Sequence, residues 1–152
     1  MRQRFGIAQA LLGSPKLLIV DEPTAGLDPG ERNRFYNLLA EIGEQTIVIL
    51  STHIVQDVKE LCTNMAIINQ GELLFAGTPD DAESTLAGKI YEKTISKSEL
   101  ADHQSQYRVI STKLVAGRPL IHAYSTEPLP NDFQPVAPDL EDVFFSKIHS
   151  VA

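Results

Sequence analysis

Apolar residues occur along the chain either in continuous runs or at helical spacing, and these two patterns predict an order of strands and helices. Residues 17–20 are a continuous aliphatic run, which is typical of a strand buried on both faces of a parallel sheet. Residues 46–50 are a second continuous β-branched and apolar run, which predicts another strand. Helical spacing of apolar side chains marks residues 2–12 and the segment after Asp28, where Pro29 suits the first position of a helix. Ile54, Val58 and Leu61 mark a further short helix. The alternation of helices and strands predicts an α/β fold.

The sequence of the second half of the chain predicts a different, smaller arrangement of strands and helices. Residues 65–68 and 73–76 read as a hairpin, and a short helix over residues 80–87 leads to a change in composition at Gly88. Three strands, an irregular proline-containing linker and a final helix follow, in this order: residues 89–96, 107–115, 120–124, 125–138 and 139–148. The spacing of Leu140, Phe144 and Ile148 predicts the face with which the last helix docks on the small sheet. We therefore predict two domains, residues 1–87 and 88–152, the second a small α+β domain.

Composition and charge narrow the functional classes. The 152 residues are 43% hydrophobic, which suffices for one ordinary domain or a small core with an added module. The formal net charge of −7 and the lack of a basic run argue against nucleic-acid binding. The single cysteine, Cys62, excludes an internal disulfide and favours a reducing, cytoplasmic setting. No apolar run approaches the ~20 residues of a membrane helix, so a membrane function would need another subunit to span the bilayer.

The candidate chemistry lies at the ends of the two predicted parallel strands. Asp21 and Glu22 follow the first strand, and His53 follows the second. Ligands of open α/β sheets bind beyond the carboxyl ends of the strands. Two interpretations remain from the segment alone. The acids are simply solvated where a strand leaves the core, or Asp21 holds Mg²⁺ through water while Glu22 polarises a water nucleophile.

A longer match favours the second interpretation. Residues 17–28 closely resemble the Walker B strand and D-loop of ATP-binding cassette (ABC) ATPases. Residues 2–4 resemble the segment after the signature motif of that family, and residues 51–53 resemble its switch histidine loop, in the family's order. Residues 138–145 resemble the end of accessory domains in drug and lipid exporters. The resemblance implies the C-terminal part of a P-loop NTPase parallel sheet, followed by a small α+β accessory domain.

The resemblance also implies roles for single residues and for partners. Asp21 supports Mg²⁺ through water, Glu22 is the general base, Asp28 takes part in nucleotide binding by contacting the facing subunit, and His53 touches the γ-phosphate. The complete protein is expected to use ATP and Mg²⁺. Its implied partners are a transmembrane permease and a second ATPase subunit, in a homodimer. The implied location is cytoplasmic and peripheral to the membrane, and the implied function is to drive an exporter.

Two parts of the family pattern are missing from these 152 residues. They contain no G-x-x-x-x-G-K-[ST] phosphate loop, and the signature motif would end at Met1. We therefore expect the C-terminal half of an ABC ATPase domain that binds no ATP and is inactive by itself. Two alternatives stay open. The chain is a regulatory or oligomerisation module acting through the residues beyond Gly88, or the ATPase belongs to a soluble, non-transport machine.

Overall fold

The chain folds into two compact units. The computed structural model describes residues 2–148, with side chains from residue 5 onward. The units are Met1–Cys62 and Thr63–Ala152. The division between them falls earlier in the chain than the domain boundary predicted at residue 88, which stays a prediction.

The first unit contains the predicted alternation of helices and strands. Its elements are α1 (Arg2–Leu11), β1 (Leu17–Asp21), α2 (Pro29–Gly43), β2 (Ile47–Ser51) and α3 (Val55–Leu61). Strands β1 and β2 pair in parallel, with Leu17 opposite Ile47 and Asp21 opposite Ser51. The mixed α/β architecture and the parallel pairing confirm the predicted fold class. The family resemblance of residues 2–4 concerns side chains outside those that the structure describes.

The core of the first unit lies on one face of this two-stranded sheet. Leu18 and Val20 of β1 pack with residues of the helices, namely Ile7, Phe35 and Leu39, and with the partly buried Leu11, Leu27, Ile42, Val48, Leu50 and Leu61. The prediction that β1 is buried on both faces is wrong: Leu17 and Ile19 are 46% and 68% exposed. Within the described residues, the helices cover only the face that carries Leu18 and Val20.

The second unit combines a hairpin with a four-stranded antiparallel sheet. Its strands and helices are β3 (Met65–Asn69), β4 (Glu72–Gly77), α4 (Pro79–Ser84), β5 (Ile90–Thr94), a 3₁₀ turn (Lys97–Glu99), α5 (Leu100–Gln106), β6 (Val109–Val115), β7 (Arg118–Tyr124), β8 (Gln134–Val136) and α6 (Leu140–Ile148). Strands β3 and β4 form the hairpin, and the sheet has the order β6-β7-β5-β8. Two-residue turns with positive φ close the two tight hairpins, at Gln70–Gly71 and Ala116–Gly117.

The last helix docks within the second unit, but through a different face from the predicted one. Helix α6 contacts β6, and its buried residues are Leu140, Asp142, Val143 and Ser146. Phe144 and Ile148, which were predicted to face the sheet with Leu140, are only half-buried. A polar contact explains this change of face. Asp142 lies toward the sheet, and its Oδ1 is 2.7 Å from Nδ1 of His122 in β7.

Candidate functional site

The predicted site residues of β1 and β2 meet at the carboxyl edge of the first unit. Asp21 ends β1 and Ser51 ends β2, and the two are direct partners in the parallel ladder. The Ser51 hydroxyl donates a hydrogen bond to Oδ1 of the exposed Asp21 carboxylate. The register of the strands thus brings a carboxylate and a hydroxyl together from segments that are distant in the chain.

Glu22 leaves the strand through a backbone conformation that few residues adopt. Its φ is 45°, and its N–H donates to the carbonyl oxygen of Ser51 at 2.8 Å. A left-handed conformation costs a residue other than glycine about 1–2 kcal/mol. This hydrogen bond extends the pairing of β1 with β2 by one residue beyond Asp21. The turn also directs the Glu22 carboxylate to the segment after β2. Strain of this kind often occurs at functional sites, where the surrounding structure maintains it.

Glu22 and His53 form one hydrogen-bonded pair. Oε1 of Glu22 accepts the backbone N–H of His53 at 3.0 Å and lies 2.7 Å from the ring atom Nδ1. The His53 side chain is 75% exposed and that of Glu22 is 33% exposed, so the pair is open to solvent. An ionised carboxylate only accepts hydrogen bonds, so a bond to ionised Glu22 requires the proton on Nδ1 of His53. While this bond is present, Nε2 can donate to a ligand only if the ring is doubly protonated.

The fourth predicted residue, Asp28, has a structural role. Its backbone is extended, and Oδ1 accepts the N–H of Glu31 at 2.8 Å, so Asp28 is the N-cap of α2. The side chain is exposed. Hence the structure brings Glu22 to His53 and Asp21 to Ser51, whereas the described hydrogen bond of Asp28 is to its own helix.

A buried carboxylate beneath the site was not predicted. Asp57, in the first turn of α3, is fully buried. Its Oδ2 accepts the hydroxyls of Thr24 at 2.5 Å and Thr52 at 3.0 Å, and its Oδ1 accepts the hydroxyl of Tyr36 at 2.7 Å. Burial, and next the hydrogen bond to Asp57, raise the pKa of Tyr36 well above its ordinary value. A buried polar group needs hydrogen-bond partners, and three hydroxyl donors meet that need.

The helical pattern contained a signal for this carboxylate. Residues 54, 57, 58 and 61 follow the i, i+3, i+4, i+7 spacing of one helix face, and the apolar residues among them were used to predict α3. Asp57 is the acidic member of that set, so the same spacing places it on the buried side. The spacing alone does not reveal the partners, because Thr24 and Tyr36 belong to distant segments.

Oxygen donors at the edge of the sheet fit a Mg²⁺ ion in part. Mg²⁺ is usually held by one or two carboxylates, water and substrate phosphates, rather than by a complete protein cage. Asp21 offers an exposed carboxylate with a hydroxyl beside it, which suits contact through water. Across the described residues, no group of three or more His, Cys, Asp or Glu side chains could hold a metal ion by itself. These residues therefore suit an ion that arrives with a phosphate ligand.

The second unit contains a separate polar pair in which a histidine is largely buried. Nδ1 of His122 lies 2.7 Å from Oδ1 of Asp142, and the side chains are 13% and 2% exposed. The hydrogen bond to Asp142 raises the pKa of His122, although burial acts in the opposite direction. Asp142 also accepts the N–H of Asp139 at 3.1 Å at the start of α6. The pair thus joins the beginning of α6 to β7.

The geometry defines a class of protein: an α/β unit with acidic, hydroxyl and imidazole groups at the carboxyl edge of parallel strands, where such sheets bind ligands. A family model described as "AAA domain, putative AbiEii toxin, Type IV TA system" matches residues 1–56. This matched range includes Asp21, Glu22, Asp28 and His53. None of the helices over residues 2–148 is long and apolar enough to cross a membrane.

Curated relatives of the chain are named as ATP-binding proteins of ABC transporters. "Uncharacterized ABC transporter ATP-binding protein YdbJ" of Bacillus subtilis is 49% identical over 75 residues, 48% of this chain and 24% of the relative. YxlF of the same organism, which carries the same description, is 29% identical over 99% of this chain and 56% of its own length. "Probable multidrug ABC transporter ATP-binding protein YbhF" of Escherichia coli is 28% identical over 88% of this chain and 24% of its own length.

The chain is related to the ABC ATPases, which confirms the resemblance seen in residues 17–28. It spans between about a quarter and a little over half of the length of these relatives. The family uses ATP and Mg²⁺ in general, and ATP-binding proteins of ABC transporters work with membrane permeases. The relation to an exporter's accessory domain, predicted for the second part of the chain, stays a prediction.

Proposed function

We propose that this chain is part of the ATP-hydrolysing subunit of an ABC transporter. The observation that carries the proposal is the pair formed by Glu22 and His53, with 2.7 Å between Oε1 and Nδ1, at the carboxyl edge that also carries Asp21. A carboxylate and an imidazole on neighbouring strand ends can share the task of placing and deprotonating a water molecule. The relatives named ATP-binding proteins of ABC transporters support this chemistry.

Each side chain has a separate task in the proposed reaction. Glu22 accepts a proton from the water that attacks the γ-phosphorus of ATP, the bond from that phosphorus to the β–γ bridging oxygen breaks, and ADP leaves. His53 contacts the γ-phosphate through Nε2, which donates when both ring nitrogens carry a proton, and it orients the water. Asp21 would hold Mg²⁺ through a water molecule, and Ser51 fixes the orientation of that carboxylate. When bound, Mg²⁺ supplies charge stabilisation of the phosphates. Asp28 contacts a facing ATPase subunit near the nucleotide, in addition to capping α2.

The proposed setting is the cytoplasmic side of a membrane. The complete protein would form a homodimer of ATPase subunits attached to a transmembrane permease, and no nucleic acid takes part. Export is favoured over import because the likeness to YbhF, named a multidrug transporter protein, extends over 88% of this chain. The residues from 88 onward would then form an accessory domain with a regulatory or dimer-contact function.

We also propose that the 152 residues alone neither retain ATP nor hydrolyse it. Phosphates in this class of enzyme are cradled by the backbone N–H groups of a glycine loop and by its lysine. These residues contain no G-x-x-x-x-G-K-[ST] sequence. Asp21, Glu22 and His53 would therefore act only together with a phosphate loop that is not among these 152 residues.

A chimera tests the proposed reaction. The segment of YdbJ that matches this chain is exchanged for the corresponding residues of this chain, so that YdbJ supplies the phosphate loop. We expect ATP hydrolysis by the chimera, and we expect Glu22→Gln to lower kcat about 10²-fold or more while ATP still binds. Glu31→Gln is the matched control, because Glu31 lies in the first turn of α2 and should leave kcat unchanged.

The binding measurement separates a misfolded chimera from an inactive one. A chimera that binds a fluorescent ATP analogue with Mg²⁺ but shows no hydrolysis would contradict the proposal. The same conclusion would follow if Glu22→Gln and Glu31→Gln had equal activity. Measurable hydrolysis by the 152-residue chain itself, removed by Glu22→Gln, would contradict the proposed need for an added phosphate loop.

A further inference from the structure

Asp57 connects the two loops that carry the proposed chemistry. Thr24 lies two residues after Glu22, and Thr52 immediately precedes His53. The hydroxyls of Thr24 and Thr52 both donate to the same oxygen of Asp57, Oδ2, at 2.5 and 3.0 Å. One buried atom therefore fixes the loop after β1 to the loop after β2.

The local backbone strengthens this connection. Oγ1 of Thr52 also accepts the N–H of Ile54 at 3.0 Å, which closes a small turn around His53. The same oxygen lies 3.5 Å from Oε2 of Glu22. His53 is thus held from both sides, since its own N–H donates to Glu22 at 3.0 Å. The orientation of Thr52 consequently decides how His53 meets Glu22.

The hydrogen bond between Tyr36 and Asp57 can be compared with the two bonds that Asp57 accepts from the loops. Tyr36 of α2 donates to the other oxygen of Asp57, Oδ1, at 2.7 Å. This bond fixes α3 to α2 and touches neither loop. A carboxylate that served only to join the helices would need Tyr36 alone, whereas Asp57 uses Oδ2 for two donors that belong to the loops.

We propose that Asp57 is a positioning residue: it holds Thr24 and Thr52 so that the carboxylate of Glu22 and Nδ1 of His53 stay hydrogen-bonded. Asp57 is fully buried and acts through the two threonines, without touching a substrate. The proposal rests on the proposed function for its catalytic meaning. The positioning itself is a property of this chain and can be measured without nucleotide.

The ring nitrogen of His53 that carries the proton shows whether His53 stays hydrogen-bonded to Glu22. With Glu22 in place, the neutral ring carries its proton on Nδ1, because the partner of one ring nitrogen decides the tautomer. A ring released into water favours the form with the proton on Nε2. Nitrogen-15 NMR of the 152-residue chain at a pH where the ring is neutral distinguishes the two forms. The chain has four histidines, so a spectrum of His53→Gln identifies the relevant signals.

Four variants separate positioning from general stability. Thr52→Val and Asp57→Leu, which removes both acceptor oxygens at similar volume, should lose the signal of the protonated Nδ1. Thr52→Ser keeps the hydroxyl and should retain the signal, as a rescue by the conservative residue. Tyr36→Phe removes the bond to Oδ1 and should also retain it, even if the free energy of unfolding falls. If Asp57→Leu fails to fold, the comparison of Thr52→Val with Thr52→Ser decides the result.

Three results would overturn the proposal: retention of the Nδ1 proton in Thr52→Val, its loss in Tyr36→Phe to the same extent, or a proton on Nε2 in the unmodified chain. None of these depends on hydrolysis. The chimera with YdbJ can therefore fail while the positioning holds, and it can succeed while the positioning fails.

Discussion

Asp28 caps α2 by accepting the backbone N–H of Glu31 on Oδ1 at 2.8 Å. The residue that the family resemblance assigns to contact with a facing subunit thus also stabilises its own helix. The two roles differ in what they require. Capping needs a side-chain oxygen, whereas an ionic contact across a subunit interface also needs the negative charge.

The first prediction follows from this difference. Asp28→Ala should lower the free energy of unfolding of the 152-residue chain by about 1 kcal/mol, because one N–H at the start of α2 loses its partner. Asp28→Asn keeps the oxygen and should change stability by only a few tenths of a kcal/mol. Urea denaturation followed by circular dichroism measures both. Equal losses in the two variants would show that the charge, and not the cap, stabilises α2.

The second prediction concerns pH and the pair formed by His122 and Asp142. The pKa of His122 is raised above its ordinary value of 6.5, with the hydrogen bond to Asp142 as the main cause. A raised folded-state pKa means that the stabilisation is fully present below the ordinary value. It is lost as pH rises through the raised pKa. The stability of the chain relative to His122→Gln should therefore be larger at about pH 6 than at about pH 9.

The charges around His122 define the control for this pH dependence. Asp139 acts in the same direction as Asp142, and Lys113 opposes them. Oε2 of Glu92 lies 3.9 Å from Nε2 of His122 and adds a further negative charge nearby. Because the hydrogen bond to Asp142 is the main cause of the raised pKa, Glu92→Gln should leave most of the pH dependence intact. A stability difference that grows with rising pH would contradict the role given to Asp142.

The third prediction concerns the turn between β6 and β7. Ala116 and Gly117 have φ values of 49° and 81°, as a two-residue turn with positive φ at both positions requires. Asparagine tolerates the left-handed region better than alanine does. Ala116→Asn should therefore raise stability by up to about 1 kcal/mol, seen as a higher Tm. Ala116→Val should lower it, and a gain with valine would exclude this explanation.

The fourth prediction concerns the uncovered face of the sheet in the first unit. Ile19 of β1 and Ile47 of β2 are 68% and 67% exposed, and Leu17 and Ile49 lie on the same face. A contiguous apolar face of this kind favours association of the 152-residue chain. Sedimentation velocity should show association that decreases in the double variant Ile19→Lys, Ile47→Lys. Leu114→Lys, at an exposed position of β6, should have little effect.

A chain that stays monomeric at high concentration would contradict the fourth prediction. An equal response to the control variant would show that association depends on general charge and not on the sheet of the first unit.

Much of the first unit could be predicted from the sequence because its signals are local. Continuous apolar runs predicted β1 and β2, and the cap with its proline predicted α2. The meeting of Glu22 and His53 followed from one general rule, that the carboxyl ends of paired parallel strands share an edge. The exposure of Ile19 could not be predicted, since it depends on which faces the helices cover.

The second unit was harder to predict because its signals are weak or conflict with each other. Strand β8 contains Pro135, which cannot donate to a ladder and is tolerated because β8 lies at the edge of the sheet. Helix α5 has only one strongly apolar residue, Leu100, among polar ones. The docking face of α6 depends on the bond between Asp142 and His122, a contact between distant residues that no local pattern contains.

The direct pairing of Asp21 with Ser51 makes the carboxyl edge of the first unit tolerant of insertions between the two strands. The backbone ladder sets the spacing between these residues, so insertions in the exposed turn after α2 can change the length of the connection without moving the site. A deletion of one residue inside β1 has the opposite effect, because it turns every following side chain of the strand to the other face. The exposed turn after α2 is therefore expected to tolerate changes of length, whereas the two short strands are not.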